Sequence, residues 1–206
     1  MDSNQQVDYG YHSAARWDNE YLIKPLCRIV DRINLSDKRL FEVGFGNGWI
    51  ANFLSDKGYI ITGIEPSASG VKIAQKAYPD LNLQVGNAYD DLQAEFGVFP
   101  VVYSVEVIEH CQYPRKFLST IYNLVEPGGT AIITTPYHGY VKNLLIALSG
   151  KTDSHFDPLW DEGHLRFFSE KTLTALLLDA QFKSVEFIKT GRFAPIYKSM
   201  VAIAKK

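Results

Sequence analysis

Cysteine is scarce here: Cys27 and Cys111 are the only two in 206 residues. That excludes a disulfide framework and points to two reduced thiols, with Cys27 in an apolar helical pattern as a core residue. A basic excess is missing as well. Lys plus Arg total 21 against 23 for Asp plus Glu, a formal net charge of -2, so nothing suggests bulk electrostatic capture of nucleic acid. No apolar run is long enough to span a bilayer. Residues 1–5 are polar and include Asp2, unlike a signal peptide, which makes a cytoplasmic protein the default expectation. Repeats and low-complexity segments are also lacking. What remains is an ordinary globular composition, 46% hydrophobic, at a length that fits one domain with one sizeable core.

Along the chain, short apolar strands alternate with helical patterns. Strands are expected at 38–43, 59–64, 81–85, 101–105 and 130–135, and helices at 19–34, 49–57, 67–77 and 114–125. Gly58 closes the second helix, and Pro127-Gly128-Gly129 reads as a turn. This alternation gives an α/β fold, a Rossmann-like, mostly parallel sheet with helices on both faces. Two closing strands, 181–190 and 194–204, are separated only by a short link and are expected as an antiparallel pair at the sheet edge, making seven strands. A helix at 169–180 precedes them. Ser169 opens it, but Thr172 at the fourth position does not complete the usual capping box. Two segments fall outside the rhythm. Residues 1–18 form a polar arm with scattered aromatics, either frayed or covering a site. Residues 136–168 form an insertion rich in aromatics, suited to a lid or substrate element, with an apolar helical stretch at 141–148.

The densest signal is Phe41-Glu42-Val43-Gly44-Phe45-Gly46-Asn47-Gly48-Trp49, a strand end, a glycine turn and a helix start. Three glycines at every second position allow a tight turn and close approach of the backbone to a ligand, with helix N–H groups facing it. In an open α/β sheet this is where ligands bind, at the carboxyl ends of the strands. Glu65 ends the second strand, where a carboxylate accepts two hydrogen bonds from a ribose diol. Asn87-Ala88-Tyr89-Asp90 follows the third strand, where an amide and exposed backbone read an adenine edge. A dinucleotide site shares much of this pattern. Its third glycine, however, falls three positions after the second, not two as here. Glu42, two positions before the first glycine, would also repel a diphosphate and welcome a cation. The residues therefore favour a positively charged sulfonium nucleoside over a dinucleotide.

Glu106, Glu109 and His110 follow the fourth strand, beside that site. On a helical turn Glu106 and His110 share a face, with Glu109 adjacent. Two carboxylates and an imidazole suit a divalent metal such as Mg²⁺ or Zn²⁺. They equally suit a general base for a hydroxyl, or a structural role. His138, directly after the fifth strand, and His164 in the insertion are further candidates. His155 and His12 read as structural or surface residues. Cys111 has acidic neighbours that would raise its thiol pKa, which argues against a thiolate.

With these residues in view, the chain resembles the class I S-adenosylmethionine-dependent methyltransferases, and within them it is similar to the ubiquinone-biosynthesis O-methyltransferase type. The resemblance covers roughly residues 20–204. It is carried by Glu42-Val43-Gly44-Phe45-Gly46-Asn47-Gly48, Gly63-Ile64-Glu65-Pro66-Ser67, Glu106-Val107-Ile108-Glu109-His110 and Leu124-Val125-Glu126-Pro127-Gly128-Gly129. It implies S-adenosyl-L-methionine as cofactor, with S-adenosyl-L-homocysteine as product. The first glycines would touch the methionine part, Glu65 the ribose hydroxyls, and Asn87, Ala88 and Tyr89 the adenine. Phe45, Pro66, Val105 and Glu106 complete the expected cofactor-binding set. Pro100 and Asn87 depart from the family, which often has acidic residues at both places. The expected catalytic residues are Glu109, His110, His138 and His164, and the expected metal ligands are Glu106, Glu109, His110 and His164. A similar Glu-x-x-Glu-His pattern binds metal in small-RNA 2′-O-methyltransferases. A cluster of bases favours a hydroxyl acceptor, and the aromatic insertion favours a small aromatic, quinone-related or lipid-linked one. Helix 141–148, with Lys142 and Lys151 as flanking charge, offers a transient membrane contact. An RNA 2′-hydroxyl or N-methyltransferase and an inactive binding protein are the alternative readings.

Overall fold

The computed structural model describes residues 13–14, 20–33, 35–160 and 163–206. Most of the arm expected at 1–18, His12 included, lies outside the described residues. A 3₁₀ turn, Glu20–Leu22, leads into α1 (Ile23–Ile33), whose Ile23, Leu26, Cys27, Ile29 and Val30 are buried. Then follow β1 (Arg39–Val43), α2 (Trp49–Ser55), β2 (Ile60–Glu65), α3 (Ala68–Ala77), β3 (Asn82–Val85), α4 (Leu92–Phe96) and β4 (Phe99–Val105). After a 3₁₀ turn, Ile108–His110, come α5 (Pro114–Leu124), β5 (Val125–Pro136), α6 (Tyr140–Leu148), α7 (Thr152–Phe156), α8 (Glu170–Asp179), β6 (Ser184–Thr190) and β7 (Ser199–Lys205).

The seven strands form one sheet in the order β3-β2-β1-β4-β5-β7-β6. β1 to β5 run parallel, while β7 pairs antiparallel with both β5 and β6. The seven-stranded α/β expectation and the antiparallel edge pair therefore hold. Side chains alternate between the two faces of each strand. Phe41, Val43 and Val102 pack beneath α5 and α8 with Phe117, Ile121, Leu173 and Leu177. Leu40, Val101 and Tyr103 pack on the other face with Leu26, Val30, Leu54 and Ala74. The strand order reverses between β1 and β4, so the β1 and β4 carboxyl ends frame a crevice.

Several boundaries differ from expectation. Pro127-Gly128-Gly129 lies within β5, across a register shift opposite Phe99 and Val101. β4 begins two residues early, with Pro100 inside it. Helix α4 was not anticipated; Asp91 caps it by accepting from the Ala94 N–H. β7 starts at Ser199, so an eight-residue connection, 191–198, takes the place of the short link. Thr172 completes a capping box after all: its hydroxyl accepts from the Ser169 N–H at 2.9 Å, a role the sequence rule reserves for Glu or Gln.

Candidate functional site

The glycine turn leaves β1 with Gly44, Gly46 and Gly48 at φ of 81°, 57° and 77°, the left-handed region that glycine occupies without strain. Packing closes two of these positions. A Cβ at Gly44 would lie 2.6 Å from Val107 Cγ2, and one at Gly48 would lie 2.8 Å from Ala74 Cβ. The Gly44 N–H donates to the Ile64 carbonyl at 2.8 Å, which binds the turn to β2. Gly48 then caps α2 with no side-chain partner. Phe45 is buried in the core, so only its backbone lines the turn.

Glu65, 3% exposed at the end of β2, links this turn to the next one. Its Oε2 accepts from the Gly46 N–H at 2.9 Å and its Oε1 from the Ser67 N–H at 3.0 Å. Burial raises its pKa, and the two backbone bonds oppose that. A carboxylate has about four lone-pair sites, so two remain for a ligand. Pro66 follows, half-buried, and Ser67 caps α3 by accepting from the Gly70 N–H. Glu42 occupies a different place from the one expected. It is 1% exposed, not at the mouth, because it shares the inner face of β1 with Leu40. The Tyr103 hydroxyl donates to its Oε2 at 2.9 Å. Burial pushes Glu42 up to about 8; the Tyr103 bond opposes this and the charge of Glu65 adds to it. Two buried carboxyl groups thus sense one another beneath the turn.

Asn87, Ala88 and Tyr89 are half-buried beyond β3. The Asn87 side-chain carbonyl accepts from the Tyr89 N–H at 3.0 Å, folding the loop on itself. The Tyr89 hydroxyl reaches the Tyr113 N–H at 3.2 Å. Residues 13 and 14 of the arm lie over the glycine turn. Asn47 Nδ2 donates to the Ser13 carbonyl at 3.1 Å, and the Tyr78 hydroxyl donates to that of Ala14 at 3.4 Å.

Beyond the buried Val105, Glu106 takes a positive φ of 53° that turns it back into the sheet. Its Oε1 accepts from the Thr134 hydroxyl at 2.8 Å and its Oε2 from that of Ser199 at 3.1 Å. Ser199 also shares a 2.8 Å hydrogen bond with the Tyr21 hydroxyl. Burial pushes Glu106 up to about 7, against the pull of Thr134, Ser199 and Lys142. Of the four expected metal ligands, Glu109, His110 and His164 come together: each offers an atom, all within 4.8 Å of one another. Glu106 is not among them. Glu109 is 0% exposed and no well-formed hydrogen bond reaches either carboxyl oxygen; the buried Thr135 hydroxyl stands beside it, also without one, and only weakly opposes the effect of burial. Burial and the charge of Glu106 hold Glu109 well above the usual carboxylate range. Its backbone carbonyl accepts the N–H groups of Leu165 and Arg166 at 2.9 and 3.0 Å, tying the insertion to this turn. The ring of His110 meets that of His164 edge to face at 4.9 Å and that of Trp160 at 5.6 Å. Burial, then His110 and His155, push His164 down to about 4, keeping its imidazole neutral. Cys111 is an inert thiol, buried, donating to the Val107 carbonyl and pushed up to about 12.

His138 belongs to a second layer of the same insertion. It is buried, its Nδ1 lies 3.3 Å from Asn143 Oδ1, and it packs against His155, Phe156 and Phe167. Burial, then Lys142, push it down to about 4. Helix α6 presents its apolar residues outward, with Tyr140 81% and Leu148 75% exposed, while Lys142 is its one buried residue. Lys142 is therefore not a flanking surface charge. Tyr103, Thr134, Ser199, Tyr21 and Lys142 are site residues that sequence reasoning missed. Their partners lie 28 to 178 residues away along the chain or are backbone carbonyls, which no local pattern records.

Comparison with known proteins agrees with this geometry. Residues 15–186 match the family described as "Methyltransferase domain". The chain is similar to ubiquinone biosynthesis O-methyltransferases of Psychrobacter cryohalolentis (26% identity, 76% of this chain, 63% of that protein) and Chromobacterium violaceum (30%, 65% and 62%). It thus spans under two thirds of the length of these two relatives. A third, from Ralstonia nicotianae, is 27% identical over 90% of this chain and 85% of that protein. Among solved structures, the methyltransferase domain of bacterial CtHen1 superposes with a TM-score of 0.69 at 18% identity, covering 91% of this chain and 99% of that one. Magnesium protoporphyrin IX methyltransferase from Synechocystis, solved with bound SAH, gives 0.67 at 17% identity, covering 90% and 82%. With the glycine turn, Glu65 and the seven-stranded topology on one crevice, the chain belongs to the methyltransferase-domain family.

Proposed function

We propose that this protein transfers the methyl group of S-adenosyl-L-methionine to a hydroxyl of a small aromatic, quinone-related or lipid-linked acceptor. In this reading Gly44, Gly46 and Gly48 give their backbone to the methionine part of the donor. Glu65 holds the ribose diol with its two remaining lone-pair sites, and the 87–89 loop flanks the adenine. Glu42, buried and pushed up to about 8, ties β1 to β4 through the Tyr103 hydroxyl beneath the turn and brings no full charge to the donor. The transfer is an in-line displacement. The bond from methyl carbon to sulfur breaks as the bond to the acceptor oxygen forms, and the donor leaves as a neutral thioether. An oxygen nucleophile must also lose its proton, which an amine arriving unprotonated need not do. The named relatives, O-methyltransferases at 26–30% identity, point the same way.

The observation that carries the hydroxyl reading is Glu109. A fully buried carboxyl without a well-formed hydrogen bond is costly, and two imidazoles stand beside it. One carboxylate and two imidazoles fit a divalent cation such as Zn²⁺, and Glu109, His110 and His164 are the residues that would hold it. Such an ion lowers the pKa of a hydroxyl oxygen. The protein's own part is to keep His164 neutral and to pack Trp160 against the His110 and His164 rings. The 136–168 insertion then serves as the acceptor side of the pocket. The test combines metal analysis with turnover of labelled donor on catechol. The purified protein should hold about one equivalent of divalent metal, Glu109→Gln should lose it, and chelation should abolish methylation. A metal-free protein with full turnover would reject the metal role, and methylation of amines but not hydroxyls would reject the acceptor class.

A further inference from the structure

Two segments of the crevice, far apart along the chain, grip one short turn, residues 109–113. From the donor side comes the 87–89 loop. The Tyr89 hydroxyl accepts from the Tyr113 N–H at 3.2 Å, and the two rings meet edge to face at 5.8 Å. Burial pushes that hydroxyl up to about 12 against the pull of the Tyr113 and Gln112 N–H groups, so it stays protonated. The Cys111 thiol lies beside it. From the other side comes the insertion. The Glu109 carbonyl accepts from the Leu165 and Arg166 N–H groups at 2.9 and 3.0 Å, and Arg166 Nη2 donates to the Gln112 carbonyl at 3.0 Å. The turn closes on itself through the His110 N–H, which donates to the Val107 carbonyl at 3.0 Å, and the Cys111 N–H, which donates to that of Ile108 at 3.2 Å. Glu109 and His110 ride on this turn, and His164 directly precedes the two amides bonded to it.

These links are individually weak. Gln112, Tyr113, Leu165 and Arg166 are exposed, and Tyr89 is only half-buried, so water competes for each bond. How often each bond forms therefore depends on how firmly the segments it joins are held. The 87–89 loop folds on itself through Asn87, whose side-chain carbonyl accepts from the Tyr89 N–H and whose backbone carbonyl accepts from the Asp90 N–H, both at 3.0 Å. A ligand packed on that loop holds it further.

We infer that Tyr89 is a positioning residue whose hydroxyl, acting through the 109–113 turn, couples donor occupancy to the order of the acceptor insertion at 164–166. This rests on the reading above, which sets the donor's adenine against residues 87–89. A donor that orders the loop favours the bond from the Tyr113 N–H to Tyr89. That bond fixes the turn, and the fixed turn presents the Glu109 and Gln112 carbonyls to the insertion. His164 is thereby brought to Glu109 and His110 when the donor is in place. Linkage makes the coupling reciprocal, so a ligand that orders the insertion tightens the donor site by the same factor.

The test is amide hydrogen exchange of the whole chain, read by NMR with and without saturating S-adenosylhomocysteine. In wild type the ligand should slow exchange of Gly46, whose N–H bonds to Glu65 in the donor site. It should also slow Leu165 and Arg166 by roughly 2- to 10-fold, the range of one neutral hydrogen bond. Tyr89→Phe keeps the ring and removes the hydroxyl; the response of Leu165 and Arg166 to the ligand should disappear while that of Gly46 persists at saturation. Arg166→Met cuts the link from the other side and should reduce the Leu165 response. A hydroxyl with only a structural role would change exchange equally with and without ligand, and an unchanged ratio in Tyr89→Phe overturns the inference. So does wild type in which the ligand slows Gly46 but neither Leu165 nor Arg166. That result needs no variant to fold and leaves the donor reading standing. No binding of S-adenosylhomocysteine removes the donor reading and the inference together.

Discussion

Gly44→Ala is expected to destabilise the protein by about 2–5 kcal/mol, and Gly58→Ala by only about 1–2. The two glycines share their backbone geometry, with φ of 81° and 88°. Each alanine therefore pays the left-handed cost of roughly 1–2 kcal/mol. They differ in surroundings. A Cβ at Gly58 meets nothing within 4 Å, whereas one at Gly44 lies 2.6 Å from Val107 Cγ2 and 3.3 Å from Cγ1. Relieving that overlap in a packed site adds about 1–3 kcal/mol. Urea denaturation of the three proteins reads the difference as a shift in midpoint at constant slope. Adding Val107→Ala to Gly44→Ala removes both clashing atoms. The double-mutant cycle should then return a favourable coupling of about 1–3 kcal/mol. Equal losses at Gly44 and Gly58, or zero coupling with Val107, would refute the claim that packing from the β4 end sets the tightness of the turn.

Two further outcomes follow from buried ionisable groups. His138 is held near 4, below the ordinary 6.5, so its neutral form favours the folded insertion. That contribution is complete above about pH 6.5 and fades as pH falls toward 4, reaching a loss on the order of 2 kcal/mol by pH 5. The ring resonances of His138 should stay unprotonated down to pH 5 in NMR, with hydrogen exchange across 140–160 rising before that of the sheet; a midpoint near 6.5 would contradict this. A Glu109→Met variant, which also removes the metal ligand, should be more stable than metal-free wild type by about 1–3 kcal/mol, because an apolar side chain of similar length leaves no buried polar group to satisfy; a lower melting temperature would count against a poorly satisfied Glu109.

The sheet was legible because its strands are short apolar runs punctuated by Gly58 and the glycine turn, signals that act locally. Glu65 was legible for the same reason: its position at a strand end fixes which groups it meets, here Gly46 and Ser67. Glu42 was not. Its neighbours Phe41 and Val43 showed a buried strand, but its partner Tyr103 is 61 residues away on β4. Glu106 was read with Glu109 and His110 as one helical face; a positive φ breaks that face and sends its carboxyl to Thr134 and Ser199. Helix α6 failed in another way. Its apolar pattern located the helix but not which side faces the protein, and the structure turns Leu148 outward and Lys142 inward. Residues such as His155, which joins the ring cluster around His138, became visible only once the insertion was folded.

Calorimetric titration of S-adenosylhomocysteine into wild type and Glu65→Ala tests the donor site most directly. Wild type should bind one equivalent and the variant should bind at least about tenfold more weakly, since a ribose diol loses both charge-assisted acceptors. No binding to folded wild type, or equal affinity in a folded Glu65→Ala, would contradict it.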